Sequence, residues 1–237
     1  MRIFQFIISF FFVSTLLAQN KNTFEDKIVS TRKMKKFTQI NVHGSFHVHY
    51  VTGNSFDIAV GTDEESLQEK VITNVENGVL DISSSQNLWS WWAGNSKVNV
   101  YISTPSLTHI KASGAANVIL HDMLNTSELA LVFSGASQFN GKVNLEALYA
   151  VFSGASDLKI TGKSTKATFK FSGASDANAY SLIADTVQII TSGASSAELS
   201  VLKSLEAIAS GASDIKYKGS PIMNIRSSGA SSIAKKD

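Results

Sequence analysis

Three imidazoles, those of His43, His47 and His49, stand at odd positions in the stretch 39–50. Alternate residues of a strand share one face with Cα atoms ~6.8 Å apart, so the three side chains are expected on the same side. His47 and His49 then suit a shared transition metal, with His43 or a carboxylate of the next strand as third ligand. A solvent-facing row is the alternative, because Phe46, Val48 and Tyr50 have the opposite parity and face inward. The chain's three tryptophans, Trp89, Trp91 and Trp92, crowd into the stretch 85–96 among turn-forming residues. Indole faces stack on sugars and on protein partners, which makes these three candidate ligand-binding residues. The alternative is a lid folded over an apolar end of the fold.

Spacing argues against several other chemistries. Ser-Gly-Ala occurs seven times between Ser113 and Ala230. A hydrolytic nucleophile elbow reads Gly-x-Ser-x-Gly on one strand-to-helix turn, and seven equivalent nucleophiles have no mechanistic use. Asp157, Asp176 and Asp214 directly follow three of the repeats. Calcium-binding β-rolls need a nine-residue period with several glycines per turn, so these carboxylates read as turn residues. The chain has no cysteine, which excludes disulfides, a thiol nucleophile and an acylated lipoprotein cysteine. Its formal net charge is +2, and basic residues interleave with acidic ones, so no nucleic-acid partner is expected. No cofactor is implied.

The elements that must position these residues are set by the repeat. Its glycines, Gly114, Gly135, Gly154, Gly173, Gly193, Gly211 and Gly229, recur at intervals of 21, 19, 19, 20, 18 and 18 residues. A period of that size lays one coil of backbone on the next. Positions six and four before each glycine are mostly apolar, as in Leu129 and Leu131, Leu148 and Ala150, and Val187 and Ile189. The intervening residue is mostly polar, and similar alternation follows the glycine in Leu158, Lys159 and Ile160. Period two means a strand with one buried face, so each coil carries two strands joined at Ser-Gly-Ala-Ser. Stacking places like residues over like: an internal ladder of Phe133, Phe152 and Phe171, tapering through Thr191, Ala209 and Ser227. At the corner the glycine permits positive φ, the alanine is expected to point inward, and the serines pass hydroxyl hydrogen bonds along the stack.

The predicted fold is all-β: a single-domain parallel β-helix or β-solenoid of 18–21 residues per coil. Right-handed winding is the usual solution for parallel crossovers. A rod of roughly ten coils, on the order of 50 Å long, would result. One short helix is expected near 63–72, where Thr62 and Glu65 form a capping-box pair ahead of Leu67, Val71 and Ile72. Residues 1–18 read as a signal peptide, apolar behind Arg2 and ending in Ala18. An uncleaved anchor is the alternative, although the segment is short for a bilayer span of ~20 residues. No second apolar run follows, so no membrane span is expected in the mature chain. Residues 19–36 read as a flexible lead-in and 37–237 as the solenoid domain.

The succession of residues 40–44, Asn77-Gly78-Val79-Leu80-Asp81-Ile82, residues 97–107 and repeated Ser-Gly-Ala-Ser resembles the putative auto-transporter adhesin, head GIN domain family. The likeness covers roughly residues 37–234. It implies an exported β-solenoid of mostly parallel short strands, of a kind common in Bacteroidetes-type bacteria. It carries no catalytic residues and no established activity.

Three functional classes follow. The first is an exported, non-catalytic module in the periplasm, on the outer surface or secreted, with a glycan or an envelope or surface protein as partner. The second is a polysaccharide-active enzyme, since β-helices host paired carboxylates on one face. Against it, the outward positions Ala130, Tyr149, Thr168, Gln188, Glu206 and Asn224 change type from coil to coil. The third is a purely structural element of the envelope, which needs no site.

Overall fold

Alternating burial runs the length of the repeat region and winds it into a coil. The computed structural model describes residues 26–85 and 97–236, whose sixteen strands make a β-solenoid of about 7 turns. Four long strands, β9 (Asn117–Phe133), β10 (Gln138–Phe152), β11 (Asp157–Phe171) and β12 (Asp176–Thr191), each run from one Ser-Gly-Ala corner to the next. They pair in parallel, β9 to β10 to β11 to β12, and the stack continues through β13 (Ser196–Ala209). Beyond it, β14 (Asp214–Lys218) and β15 (Ile222–Ser227) pair with β13, and β16 (Ser232–Lys235) pairs with β14. The two strands expected in each coil are therefore hydrogen-bonded as one in the middle of the stack. There the far bend is gentle enough to keep the ladder, with local register shifts.

Like residues do lie over like. Phe133 pairs in register with Phe152 and Phe152 with Phe171, followed by Thr191, Ala209 and Ser227. The Phe133 and Phe152 rings stack at 4.8 Å between centroids and 4° between planes, and Phe152 meets Phe171 at 5.7 Å and 39°. All three are buried. Where the ladder turns polar, the buried Thr191 hydroxyl donates to Ser213 Oγ at 3.0 Å. The corner differs from expectation in one respect: its inward residue is the fourth-position serine, and the alanine points out. Ser137, Ser156, Ser175, Ser195 and Ser213 are buried, whereas Ala136, Ala155, Ala174, Ala194 and Ala212 are exposed. The reason is hydrogen bonding. Each inward hydroxyl donates to the carbonyl three residues earlier, as Ser156 does to Ser153 O at 2.8 Å, so the corner satisfies its own carbonyl inside the apolar stack.

The N-terminal third is ordered differently from its sequence. β2 (Gln39–Gly44) and β3 (His47–Thr52) form one coil around Gly44, whose register partner is Gly114, so Gly44 tops the glycine column. β6 (Val79–Ser84) and β7 (Val98–Thr104) form another. β2 lies between β6 and β8 (His109–Gly114), and β3 lies between β7 and β9, so the earliest coil is sandwiched by later ones. Three antiparallel strands close this end: β5 (Val71–Glu76) on β6, β4 (Asp57–Thr62) on β7, and β1 (Ile28–Lys33) on β4. Residues spent on these hairpins are not available for coils, which reduces the count from the expected ten to about 7. β1 also falls inside the span read as a flexible lead-in.

The helix is shorter than its capping pattern suggested. α1 covers Glu65–Gln68 with Glu64 at its N-cap and no side-chain cap, while Thr62 donates its hydroxyl to Glu64 O at 2.9 Å. Val71 and Ile72, expected on its face, begin β5. No helix among the described residues is long and apolar enough to cross a membrane.

Candidate functional site

Two rows of outward side chains run down the sheet just past the corners. The first contains Gln138, Asp157, Asp176, Ser196, Asp214 and Ser232, one from each successive coil. The second, two residues further along each strand, contains Asn140, Lys159, Asn178, Glu198 and Lys216. Rungs lie ~4.8 Å apart, so each row is a flat file of hydrogen-bonding groups. Neighbouring rungs bind one another. Gln138 Nε2 donates to Asp157 Oδ2 at 3.1 Å, the Ser196 hydroxyl to Asp176, and the Ser232 hydroxyl to Asp214. Lys216 Nζ stands 3.2 Å from Asp214 Oδ2. The Ser232 hydroxyl and then Lys216 hold the Asp214 carboxyl below the usual carboxylate range. Between the rows lie two shallow depressions. One of about 330 Å³ is bordered by Gln138, Asp157, Lys159 and Asn178, and one of about 220 Å³ by Asp176, Ser196, Glu198 and Lys216.

Toward the N-terminal end the same rows become buried. Asn99, Tyr101 and His49 are covered although they occupy outward positions. They form a directional chain: His49 Nδ1 lies 3.0 Å from His121 Nε2, and His49 Nε2 lies 3.4 Å from Asn99 Oδ1. Asn99 Nδ2 donates to Asp26 Oδ1 at 2.7 Å, and the Tyr101 hydroxyl donates to Asp26 Oδ2 at 2.5 Å. Because Asn99 presents its carbonyl to His49, Nε2 carries the proton there and Nδ1 accepts from His121, so every donor points toward Asp26. Gly61 makes room for the carboxylate, since a Cβ at that position would overlap Asp26. Burial, then repulsion from His121, pushes His49 down to about 4. Burial also lowers His47 and His121, and burial followed by Asp26 raises Tyr101.

The three sequence-predicted histidines do not converge. His43 belongs to β2 and stands across the Gly44 corner, its Nδ1 3.1 Å from Ser113 Oγ. His47 and His49 share the outer face of β3 as their parity requires, but His49 turns to His121 and Asn99. Among the described residues no three His, Asp or Glu side chains are arranged to hold a metal ion. The tryptophans Trp89, Trp91 and Trp92 lie outside the described residues. The corner glycines Gly114, Gly135, Gly154, Gly173, Gly193, Gly211 and Gly229 all have positive φ, and each of their Cβ positions would meet backbone of the preceding corner. Asp26, Asn99, Tyr101 and His121 were not singled out in the sequence. His121 alone left a signal, falling two residues past Ile119 on a continuing alternation.

Solved structures share this architecture. A putative adhesin from Bacteroides fragilis is 21% identical with a TM-score of 0.79, covering 88% of this chain and 96% of its own. One from Parabacteroides merdae is 18% identical with a TM-score of 0.71, covering 89% and 96%. A putative lipid binding protein from Parabacteroides distasonis is 17% identical with a TM-score of 0.68, covering 89% and 96%. At these identities the likeness concerns the fold. No curated protein matches the sequence. The family model described as putative auto-transporter adhesin, head GIN domain matches residues 36–221, most of the length of the solenoid, and the chain belongs to that family.

Proposed function

We propose that this chain is an exported, non-catalytic binding module of the cell surface or periplasm that contacts glycan through its ordered polar rows. The observation carrying this reading is the pair of rows from Gln138 to Ser232 and from Asn140 to Lys216. Amides, hydroxyls, carboxylates and ammoniums repeated at strand spacing match the repeated hydroxyls of an extended polymer better than the single deep pocket of a small-molecule site. Family membership supports an adhesive role. Trp89, Trp91 and Trp92, candidate ligand-binding residues in the sequence with a lid as the alternative, are proposed as further contacts. Against catalysis, Asp176 and Asp214 accept hydroxyl hydrogen bonds from the next coil, and Asp214 is held low, the opposite of a general acid.

A glycan array probed with the full chain tests the reading. Asp176→Ala with Asn178→Ala, and separately Trp91→Ala with Trp92→Ala, should each remove the signal while β-type circular dichroism persists. Release of reducing ends or unsaturated sugars from any bound polysaccharide would overturn the non-catalytic assignment, and retained binding in the row variant would overturn the role of the rows.

A further inference from the structure

Tyr180 occupies a bulge at the edge of the polar rows. The register of β12 against β13 shifts between Ala179 and Ile183, so Tyr180 leaves the regular ladder two residues past Asn178. Bulges re-aim side chains, and this one places the Tyr180 ring beside two ammoniums from later coils. Lys218 Nζ lies 4.8 Å and Lys236 Nζ 4.7 Å from the ring centroid. Ser200, on the intervening strand, is short and donates its hydroxyl to Tyr180 O at 2.6 Å.

Among the described residues, three donors therefore gather with no hydrogen-bond or ion-pair acceptor engaged. The Tyr180 hydroxyl is covered and makes no hydrogen bond. Burial, with Glu198 and Asp214 next, keeps the phenol protonated, so it remains a donor. Lys203 pairs with Asp185 and Lys216 with Asp214, and neither pair uses Lys218 or Lys236. Of the two carboxylates facing this spot, Asp214 is engaged by Ser232 and Lys216, leaving Glu198 against two ammoniums. Two cations and a hydroxyl at one place are the complement of an oxyanion.

We propose that Tyr180, Lys218 and Lys236 form a subsite for an oxyanion substituent, a sulfate, phosphate or carboxylate, on the glycan contacted by the adjacent rows. This inference rests on the glycan reading above. It makes the preferred ligand an acidic polysaccharide and sets its direction along the rod, with a charged group at the C-terminal coils.

Calorimetric titration of the full chain with dextran, dextran sulfate and inorganic sulfate tests it. Dextran sulfate should bind, and Lys218→Gln with Lys236→Gln should weaken it by about tenfold or more, equivalent to about 1.4 kcal/mol. Tyr180→Phe keeps the ring and its cation contacts, so it should fold as the parent does and still weaken binding several-fold. Lys203→Gln removes one positive charge from an exposed lysine paired with Asp185 and should change less than either single Lys218→Gln or Lys236→Gln. Equal weakening by Lys203→Gln, or no effect of the Tyr180 and Lys218/Lys236 variants, would overturn the subsite. Sulfate alone binding as tightly as the polymer would overturn its assignment to a glycan. If neutral dextran binds and responds only to Asp176→Ala with Asn178→Ala, the subsite fails while the glycan reading stands; if no polymer binds, both fail.

Discussion

The imidazole of His49 has both nitrogens engaged, Nδ1 with His121 and Nε2 with Asn99, so a further proton must displace one of these bonds. Its ring is also packed near Tyr101, at 5.1 Å between centroids. The titratable groups acting on it are His121 on β9 and His47 on its own strand, and Asp26 is reached only through Asn99. Burial, then repulsion from His121, outweighs the hydrogen bond with Asn99 and lowers His49 from 6.5 to about 4. In that interval the unfolded chain binds a proton that the native chain refuses, so stability falls as pH drops below ~6.5 and the loss continues to ~4. His47, His109 and His121 shift in the same direction and add to the slope. We expect the urea midpoint to decline between pH 7 and pH 5, and His49→Gln to flatten that decline even where it lowers the midpoint itself. An unchanged slope in His49→Gln would remove His49 from the account. Parity alone placed His47 and His49 on the outer face of β3. The burial of His49 was not legible, because its partners Asn99 and His121, and the Asp26 that holds Asn99, come from three distant segments whose meeting depends on the order of coils.

At the scale of the corner, one interaction repeats down the stack. The Ala174 N–H donates to Gly154 O at 2.7 Å and the Ala194 N–H to Gly173 O at 2.7 Å, so each corner hangs from the one before. Gly173 has φ +79°, and a Cβ there would stand 2.5 Å from Gly154 O, the acceptor in this ladder. Gly78 has nearly the same φ, +78°, but open space around it. The two therefore separate left-handed strain from collision. Gly78→Ala should cost about 1–2 kcal/mol, and Gly173→Ala should cost at least about 2 kcal/mol more, because a backbone carbonyl cannot step aside as a side chain can. Equal costs measured by denaturant melting would mean that the column carries no packing constraint. These corners and their period were readable in the chain because each coil's spatial neighbour is also its sequence neighbour. Which corner residue faces inward was not readable, since Ala and Ser both fit by size and only the hydroxyl bond to the carbonyl three residues earlier decides between them. α1 failed as a long helix for a related reason: Val71 and Ile72 satisfy helical spacing but gain more as β5 paired to β6.

The two ends of the whole molecule are built differently. Antiparallel strands β1, β4 and β5 close the N-terminal end, whereas the last coil repeats the core pattern without a further coil over it among the described residues. Met223 and Ile225 hold the register positions of Leu205 and Ala207, yet they are 48% and 46% exposed where those residues are 1% and 0%. Every residue of β15 is exposed. An edge strand with apolar side chains is a template for association. Because the apolar contacts of Ile225 are already incomplete, Ile225→Lys should change stability by no more than about 0.5 kcal/mol, as at an ordinary surface site. Ala207→Lys, one coil earlier, would bury an unpaired charge and should prevent folding. If the edge does associate, Ile225→Lys should also reduce concentration-dependent self-association in sedimentation velocity, and the amides of β15 should exchange with deuterium before those of β10 to β12 in dilute parent protein. A destabilisation by Ile225→Lys as large as that of a core substitution, or slow exchange in β15 of the monomer, would mean that this end is closed by a contact of its own and that the coil is protected along its full length.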